Sequence, residues 1–216
     1  MKPASFTYHA PTTVDEAVAL LARHAPDDGR ILAGGQSLVP TMAFRLARPG
    51  HLVDINNVAG LDRIDRVGDE LVIGACVRHA AFHSSVIDGP LGAFLTDVVH
   101  HIAHYPIRQR GTFCGSVAHA DPSSEWCAVV ALLDATIVAQ STRGERLIPV
   151  AELFQGHPQL AVHGGNQGVG EFQGQAEIPS FTLADGVGGQ DLNFATLGYA
   201  QAALESHAKF QALKES

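Results

Sequence analysis

Two short glycine-containing segments have residue types and spacing that are suited to binding an anion through backbone amides. The first segment is Ala33-Gly34-Gly35-Gln36-Ser37-Leu38, which lies between a predicted strand and a predicted helix. Glycine permits a positive φ and a close approach of the backbone to a ligand. Successive amides beside a helix N-terminus can therefore hold phosphate without lysine or arginine. Taken alone, such a motif is more often an ordinary strand–helix turn.

The second segment covers positions 108–116, RQRGTFCGS, and is followed by Ala120-Asp121-Pro122. The hydroxyl groups of Thr112 and Ser116 can donate hydrogen bonds to phosphate oxygens. Asp121 either accepts a hydrogen bond from a ribose hydroxyl or caps a helix that begins at Pro122. Neither segment has the GxxxxGK[ST] or GxGxxG pattern, which disfavours a P-loop kinase and a Rossmann dehydrogenase. Two such loops, far apart in the chain, suggest one long diphosphate ligand, most naturally a dinucleotide.

Composition argues against several other classes of protein. The 216 residues include 22 acidic and 14 basic side chains, for a net charge of −8, whereas 46% of the residues are hydrophobic. A nonspecific nucleic-acid binder normally has the opposite charge balance, so we expect no nucleic-acid partner. No stretch approaches the roughly 18 uninterrupted apolar residues of a membrane span, and the first residues lack the apolar run of a secretory signal. The chain is therefore predicted to be cytoplasmic.

Cysteine and histidine spacing does not indicate a metal site. Cys76, Cys114 and Cys127 form no CxxC pair, so we expect neither a disulfide framework nor a self-contained iron–sulfur or zinc site. His100 and His104 are four residues apart and could share a helix face, but no third ligand completes a motif.

The elements that must position the two segments change in type along the chain. A capping box beginning at Thr13 predicts a helix to about His24, and strands at 30–33 and 51–55 with a helix at 37–46 predict a small α/β lobe over 1–57, with parallel pairing. Over 58–156 we expect a second lobe with two hairpins, 61–67 with 70–75 and 136–140 with 145–148, and helices at 78–85, 91–104, 126–133 and 150–154. Residues 157–216 are expected to be a loop-rich tail, with loop at 157–175 and a terminal helix at 193–214.

Two longer stretches resemble the FAD-binding medium subunit of molybdenum hydroxylases, a family that includes aerobic carbon monoxide dehydrogenase and xanthine dehydrogenase. Positions 32–38 (LAGGQSL), 45–49 (RLARP) and 51–55 (HLVDI) are similar to its first segment. Positions 107–112 (IRQRGT), 115–116 (GS) and 118–122 (AHADP), with Glu125, are similar to its second. The resemblance covers about residues 1–156, in the family's order and spacing.

The resemblance implies an α+β fold of the p-cresol methylhydroxylase/vanillyl-alcohol oxidase (PCMH/VAO) type. In this fold a small α/β lobe and a larger lobe with an antiparallel sheet hold FAD between them. Carried over residue by residue, the pyrophosphate would be bound from one side by Ala33, Gly34, Gly35, Gln36 and Ser37. Thr112, Gly115, Ser116 and Asp121 would hold it and the adjacent ribose from the other side, and Leu38 and Ile55 would lie near the flavin.

The family's FAD is an electron relay, so the resemblance implies a subunit without catalytic side chains of its own. Its partners would be a small subunit with two [2Fe–2S] clusters and a large molybdopterin subunit, and the complex could associate with the inner face of the membrane. Two alternatives remain: a non-catalytic remnant or scaffold that binds flavin weakly or not at all, and a stand-alone flavin reductase of the same fold superfamily.

Two departures from the family pattern bear on the cofactor. Relatives usually have two glycines where this chain has Cys114-Gly115, so we expect the Cys114 side chain to crowd the diphosphate and Cys114→Gly to leave flavin affinity equal or stronger. Relatives also continue into a further C-terminal α/β domain, which is not recognisable in 157–216. With that domain missing or atypical, one wall of the site would be absent and FAD would bind weakly.

Overall fold

A parallel three-stranded sheet with two helices forms the first part of the molecule in the computed structural model, which describes residues 2–121, 123–153 and 178–184. The elements are β1 (Thr7–His9), α1 (Val14–His24), β2 (Gly29–Leu32), α2 (Leu38–Ala43) and β3 (His51–Asp54), with the strands in the order β1-β3-β2. All pairings are parallel, as the sequence predicted. Strand β1 was not predicted, because three residues are too few for a periodic pattern.

Helix α1 begins where the capping pattern places it. The Thr13 hydroxyl accepts a hydrogen bond from the amide of Glu16 at 3.2 Å, and the Glu16 carboxylate accepts one from the amide of Thr12 at 3.0 Å. Its apolar face buries Ala17, Val18 and Leu21. Helix α2 ends at Ala43, three residues before the predicted end, because Arg45 has a φ of 59° and leaves the helical region.

An antiparallel five-stranded sheet forms the second part. Its strands are β4 (Ile64–Val67), β5 (Glu70–Ile73), β6 (Thr136–Ser141), β7 (Gly144–Pro149) and β8 (Ile178–Ala184), in the order β4-β5-β8-β6-β7. The two predicted hairpins are confirmed as β4–β5 and β6–β7.

Strand β8 was not predicted, although it occupies the centre of this sheet and pairs with both β5 and β6. The sequence analysis placed this stretch in the loop-rich tail of 157–216, and Pro179 within it is a residue that normally argues against a central strand. The loop predicted at 157–175 and the helix predicted at 193–214 lie outside the described residues.

Five helices accompany this sheet. They are α3 (Pro90–His101), α4 (Tyr105–Arg108), α5 (Phe113–His119), α6 (Glu125–Leu132) and α7 (Val150–Leu153), preceded by a 3₁₀ helix at His79–His83. Of these helices, α5 and α7 contact strands of the sheet. Helix α3 ends at His101, before the predicted 104, because Ile102 has a ψ of 110° and leaves the helical region. The large core of this part is centred on Trp126, Phe82 and Phe113, whose rings contact one another.

The predicted helix start at Asp121-Pro122 is wrong. Helix α6 begins at Glu125 with Ser124 at its N-cap position. Asp121 instead accepts hydrogen bonds from the backbone amide and the hydroxyl of Ser123, at 2.8 and 2.6 Å. An aspartate bonded to the residue two positions on closes a local turn, and this turn delays the helix. Among the described residues, none of the helices is long and apolar enough to cross a bilayer.

Candidate functional site

The first glycine loop, residues 33–38, turns the chain from β2 into α2. Gly35 makes the turn with a φ of +70°, where an L side chain would be strained. A Cβ atom at Gly35 would also lie 3.1 Å from the Val39 side chain and 3.2 Å from that of Leu32. Both conformation and space therefore select glycine at this position.

This loop presents a row of free backbone donors. The amides of Gly34, Gly35, Gln36, Ser37 and Leu38 have no hydrogen-bond acceptor within the part of the chain that the structure describes. The Ser37 hydroxyl is exposed and makes no capping bond, whereas the Gln36 side chain folds back and donates to the carbonyl of Gly34 at 3.0 Å. Consecutive unpaired amides are the donor set that binds phosphate oxygens.

The second glycine loop, residues 111–116, enters α5 and is largely buried. Thr112 is only 2% exposed, and its hydroxyl caps α5 by accepting a hydrogen bond from the amide of Gly115 at 3.1 Å. A Cβ atom at Gly115 would lie 2.4 Å from that hydroxyl oxygen, so glycine is required beside it. The amide of Ser116 donates to the Thr112 carbonyl at 3.0 Å. The hydroxyl and these amides are thus used within the loop.

Ser116 and Asp121 lie beyond the cap, on the half-buried and exposed side of this region. The hydroxyls of Ser116 and Ser124 are hydrogen-bonded at 2.9 Å. The two hydrogen bonds from Ser123 lower the pKa of Asp121, so its carboxylate is ionised at neutral pH. Both bonds go to Oδ1, and Oδ2 has no partner among the described residues. Asp121 can therefore accept a hydrogen bond from a ligand hydroxyl.

The two loops are in direct contact. A Cβ atom at Gly34 would lie 2.5 Å from the carbonyl oxygen of Arg110, 2.7 Å from the Cα of Gly111 and 2.9 Å from the amide of Thr112. This glycine is needed because another backbone passes at van der Waals distance. The sequence analysis placed the two segments on one ligand, and the structure brings them together.

Two side chains that the sequence analysis missed link the loops. Asn56 donates to the carbonyl of Ala33 at 2.8 Å and accepts from the Arg78 guanidinium at 2.5 Å. Arg78 also donates to the carbonyl of Arg110. A charged donor shared between two loops holds them at a fixed separation. No local sequence pattern marks Asn56 or Arg78, because their partners are distant in the chain.

A buried histidine, His79, is hydrogen-bonded to the second loop and to the core. The backbone amide of His79 donates to the carbonyl of Gly111 at 3.0 Å, and Trp126 donates from Nε1 to His79 Nδ1 at 2.8 Å. Burial, followed by the charges of Arg78 and Arg108, lowers the pKa of His79 to about 4. The imidazole is therefore neutral at neutral pH, and since Nδ1 accepts, its proton is on Nε2.

The predicted site residue Ile55 and the side chain expected to crowd the diphosphate, that of Cys114, both lie in the core. Ile55 is 1% exposed and packs with Val53 and Ala75. Cys114 is 1% exposed, lies in α5 and directs its thiol toward the carbonyl oxygens of Gly74 and Ile73, at 3.2 and 3.5 Å. Crowding of a diphosphate by this side chain, which the sequence analysis expected, is therefore not what the structure shows. Leu38 is half-buried at the start of α2, and contacts of Leu38 and Ile55 with a flavin remain predictions.

The residues present fit the diphosphate of a dinucleotide. The first loop supplies amides that have no acceptor among the described residues. The second loop contacts the first but accepts no hydrogen bond from these amides. The guanidinium groups of Arg78 and Arg108 are engaged in hydrogen bonds within the protein. Arg108 donates to His83 at 2.9 Å and to the Ile102 carbonyl at 2.7 Å. Backbone dipoles can therefore hold the anion in this acidic chain.

Comparison with known proteins identifies the family. Residues 4–166 match the family described as FAD binding domain in molybdopterin dehydrogenase. The chain is 46% identical over 157 residues to the 6-hydroxypseudooxynicotine dehydrogenase complex subunit alpha of Paenarthrobacter nicotinovorans, covering 73% of this chain and 53% of that protein. It is 38% identical over 157 residues to the carbon monoxide dehydrogenase medium chain of Hydrogenophaga pseudoflava, covering 72% and 54%. The chain thus spans about half the length of the curated relatives that it matches.

Solved structures show the same fold. Carbon monoxide dehydrogenase from Hydrogenophaga pseudoflava, in a form that lacks the Mo-pyranopterin moiety of the molybdenum cofactor, superposes with a TM-score of 0.74 at 33% identity, over 85% of this chain and 60% of that chain. Quinoline 2-oxidoreductase from Pseudomonas putida 86 gives 0.70 at 34% identity, over 87% and 61%. The chain therefore belongs to the family of FAD-binding domains of molybdopterin dehydrogenases, with FAD as its cofactor.

Proposed function

We propose that this chain is the electron-relay part of a molybdenum hydroxylase of the carbon monoxide dehydrogenase type. Its FAD would accept electrons from iron–sulfur clusters on a partner subunit and pass them to an external acceptor. The observation that carries the proposal is the row of unpaired amides in the first glycine loop, held against the second loop by Gly34. Family membership supports the identity of the ligand.

Each part of the site has a distinct task in this proposal. The amides of the first loop bind the diphosphate, and Asn56 with Arg78 keeps the two loops at their separation. Oδ2 of Asp121 accepts a hydrogen bond from a ribose hydroxyl. Bound FAD supplies the redox chemistry, so no side chain of the chain need act as acid, base or nucleophile. We further propose that residues 1–57 and 58–156 are the two lobes that enclose the cofactor.

We infer the partners from the names of the relatives, several of which are medium chains or subunits of dehydrogenase complexes. The complex would contain an iron–sulfur small subunit and a molybdopterin large subunit. Without them the chain would bind flavin but turn over no substrate, because electrons would have no source.

Flavin binding is tested first, by titrating the purified chain with FAD and following the quenching of flavin fluorescence. We expect saturable binding of one FAD per chain and a large loss in Gly35→Ala. Gly60→Ala is a matched control, because Gly60 also has a positive φ (+84°) but a Cβ there would meet nothing within 4 Å. Equal losses in both variants, or no binding by the unaltered chain, would contradict the proposed site.

The relay is tested separately, in a complex coexpressed with its iron–sulfur and molybdopterin subunits. We expect substrate to bleach the flavin absorbance in the unaltered complex. In Gly35→Ala the iron–sulfur absorbance should still bleach while transfer to the external acceptor stops. Persistent transfer to the acceptor without bound FAD would show that the flavin is not the relay.

A further inference from the structure

Three half-buried histidines converge in the first sheet, away from the glycine loops. His9 ends β1, His24 ends α1 and His51 begins β3. One ring nitrogen from each lies within 4.8 Å of the other two. The first glycine loop follows the carboxyl end of β2, whereas His51 is at the amino end of the neighbouring parallel strand β3.

The fold brings these three residues together through strand register and one close contact. Thr7 pairs with His51 in the β1–β3 ladder and His9 pairs with Val53, so His9 and His51 lie on the same face of the sheet. Gly29 pairs with His51 on the other side, and a Cβ atom at Gly29 would lie 2.6 Å from the His24 carbonyl oxygen. The glycine therefore allows the end of α1 to pack directly beside His51.

The distances suit a shared ion. His9 Nε2 and His51 Nδ1 are 3.0 Å apart. Two nitrogens at about 2.0–2.1 Å from a tetrahedral zinc ion are roughly 3.3 Å apart, so an ion could replace the proton between these rings with little movement. The His24 ring stacks on those of His51 and His9, with centroids 3.9 and 4.6 Å away. One ring nitrogen of His24 lies within 4.8 Å of those of the other two rings, so the stacked His24 ring must move for all three to bind the same ion.

The position of His24 favours a bound cation. His24 closes the 11-residue helix α1, whose carboxyl end carries a partial negative charge. Three imidazoles without a carboxylate favour transition metals over Ca²⁺ or Mg²⁺.

We propose that His9, His24 and His51 form a site for one divalent transition-metal ion of the Zn²⁺, Ni²⁺ or Cu²⁺ class. Water would occupy its remaining positions. The ion would fasten β1 and the end of α1 to β3. This proposal does not rest on flavin binding. The sequence analysis expected no metal site, and no local spacing pattern joins these three histidines, which are far apart in the chain.

The test is calorimetric titration of the full, untagged chain with Zn²⁺. We expect one tight site per chain. Loss of a single outer-shell partner typically weakens metal binding about 10–100-fold, so removal of a direct ligand in His24→Gln or His51→Gln should weaken it by at least about tenfold. The double variant His100→Gln, His104→Gln is the matched control, and its affinity should not change. Unaltered affinity in His24→Gln, loss in the control, or no binding by the unaltered chain would overturn the proposal.

A second measurement separates loss of a ligand from loss of the fold. Zn²⁺ should raise the midpoint of thermal unfolding of the unaltered chain, because it binds the folded state, and should leave the midpoint of His9→Gln unchanged. Co²⁺ should give visible absorption bands in the unaltered chain and in the control, but not in His24→Gln. A Co²⁺ spectrum that is the same in His24→Gln and in the unaltered chain would also overturn the proposal.

Discussion

The two glycine loops look alike in sequence, yet the structure uses them in opposite ways. The first loop leaves five consecutive amides without a hydrogen-bond acceptor among the described residues, whereas four amides of the second loop, those of Gly111, Phe113, Gly115 and Ser116, are hydrogen-bonded. We propose that the first loop binds the diphosphate and that the second loop supports the first. The comparison teaches that glycines beside a short helix do not by themselves define an anion site, and that unpaired backbone donors are also needed.

The glycines of the two loops are also required for different reasons. Gly35 serves a positive φ, Gly34 makes room for the backbone of the other loop, and Gly115 makes room for the Thr112 hydroxyl. Because the Gly34 contact joins the two loops, we expect diphosphate binding by the first loop to depend on the rigidity of the second. The following variants separate the two roles.

Gly34→Ala should have the largest effect. Its Cβ would lie 2.5 Å from a backbone oxygen, and backbone cannot rotate away as a side chain can. Overpacking of this kind costs about 1–3 kcal/mol, and opening of the contact should weaken FAD binding about ten- to a hundredfold. Fluorescence titration measures the affinity, with Gly60→Ala as control. Undiminished affinity in Gly34→Ala would show that the contact between the loops does not matter.

Acid should destabilise the second loop through His79. Its pKa is about 4 in the folded chain, below the ordinary 6.5, so the unfolded chain binds more protons as pH falls below 6.5. Stability is therefore present above pH 6.5 and is lost as pH falls from there toward 4, by about 3 kcal/mol for a shift of this size. His79→Asn offers an oxygen to Trp126 without a titrating ring. Urea unfolding at several pH values should show a shallower pH dependence in that variant, and an identical slope would contradict the assignment.

Arg78→Lys should loosen the connection between the loops. The guanidinium contacts Asn56 and the Arg110 carbonyl together, and an ammonium group cannot reproduce that fork. Hydrogen bonds to charged groups contribute about 1.5–3 kcal/mol, so FAD affinity should fall about tenfold, with Arg66→Lys as an exposed control. If stability falls while FAD affinity does not, Arg78 supports the fold alone and the first loop binds independently of the second.

Much of the local structure could be predicted from the sequence. The capping box at Thr13, the hairpin turn at Gly68 and the parallel pairing of β2 with β3 each follow from short patterns, and the structure has all three. The two loops were also recognised from residue types. Local conformation is encoded within a few residues, which is why these predictions succeeded.

The remaining features depend on contacts between distant residues. Asn56 and Arg78 acquire their role only when the two loops meet, and β8 becomes a strand because β5 and β6 offer it two edges despite Pro179. The sequence analysis assigned Thr112 to the pyrophosphate, whereas in the structure its hydroxyl caps α5. A hydroxyl before a helix can bind a ligand or cap the helix, and burial decides between them.

Substitution of Thr112 should therefore have the smallest effect on FAD affinity, and it best distinguishes a ligand-binding hydroxyl from one that caps a helix. Thr112→Val keeps the shape of the side chain but removes the cap of α5, which typically costs about 1 kcal/mol. We expect a matching loss of stability in urea unfolding and a change in FAD affinity of less than about threefold, because the hydroxyl is buried and already bonded to Gly115.

Thr112→Ser is the control, since it keeps the hydroxyl and should restore the stability. A loss of FAD affinity in Thr112→Val much greater than the loss of stability, with recovery in Thr112→Ser, would mean that this hydroxyl also donates to the diphosphate. The second loop would then bind the diphosphate as well as support the first loop. The two loops would differ only in the number of hydrogen-bond donors that each provides to the ligand.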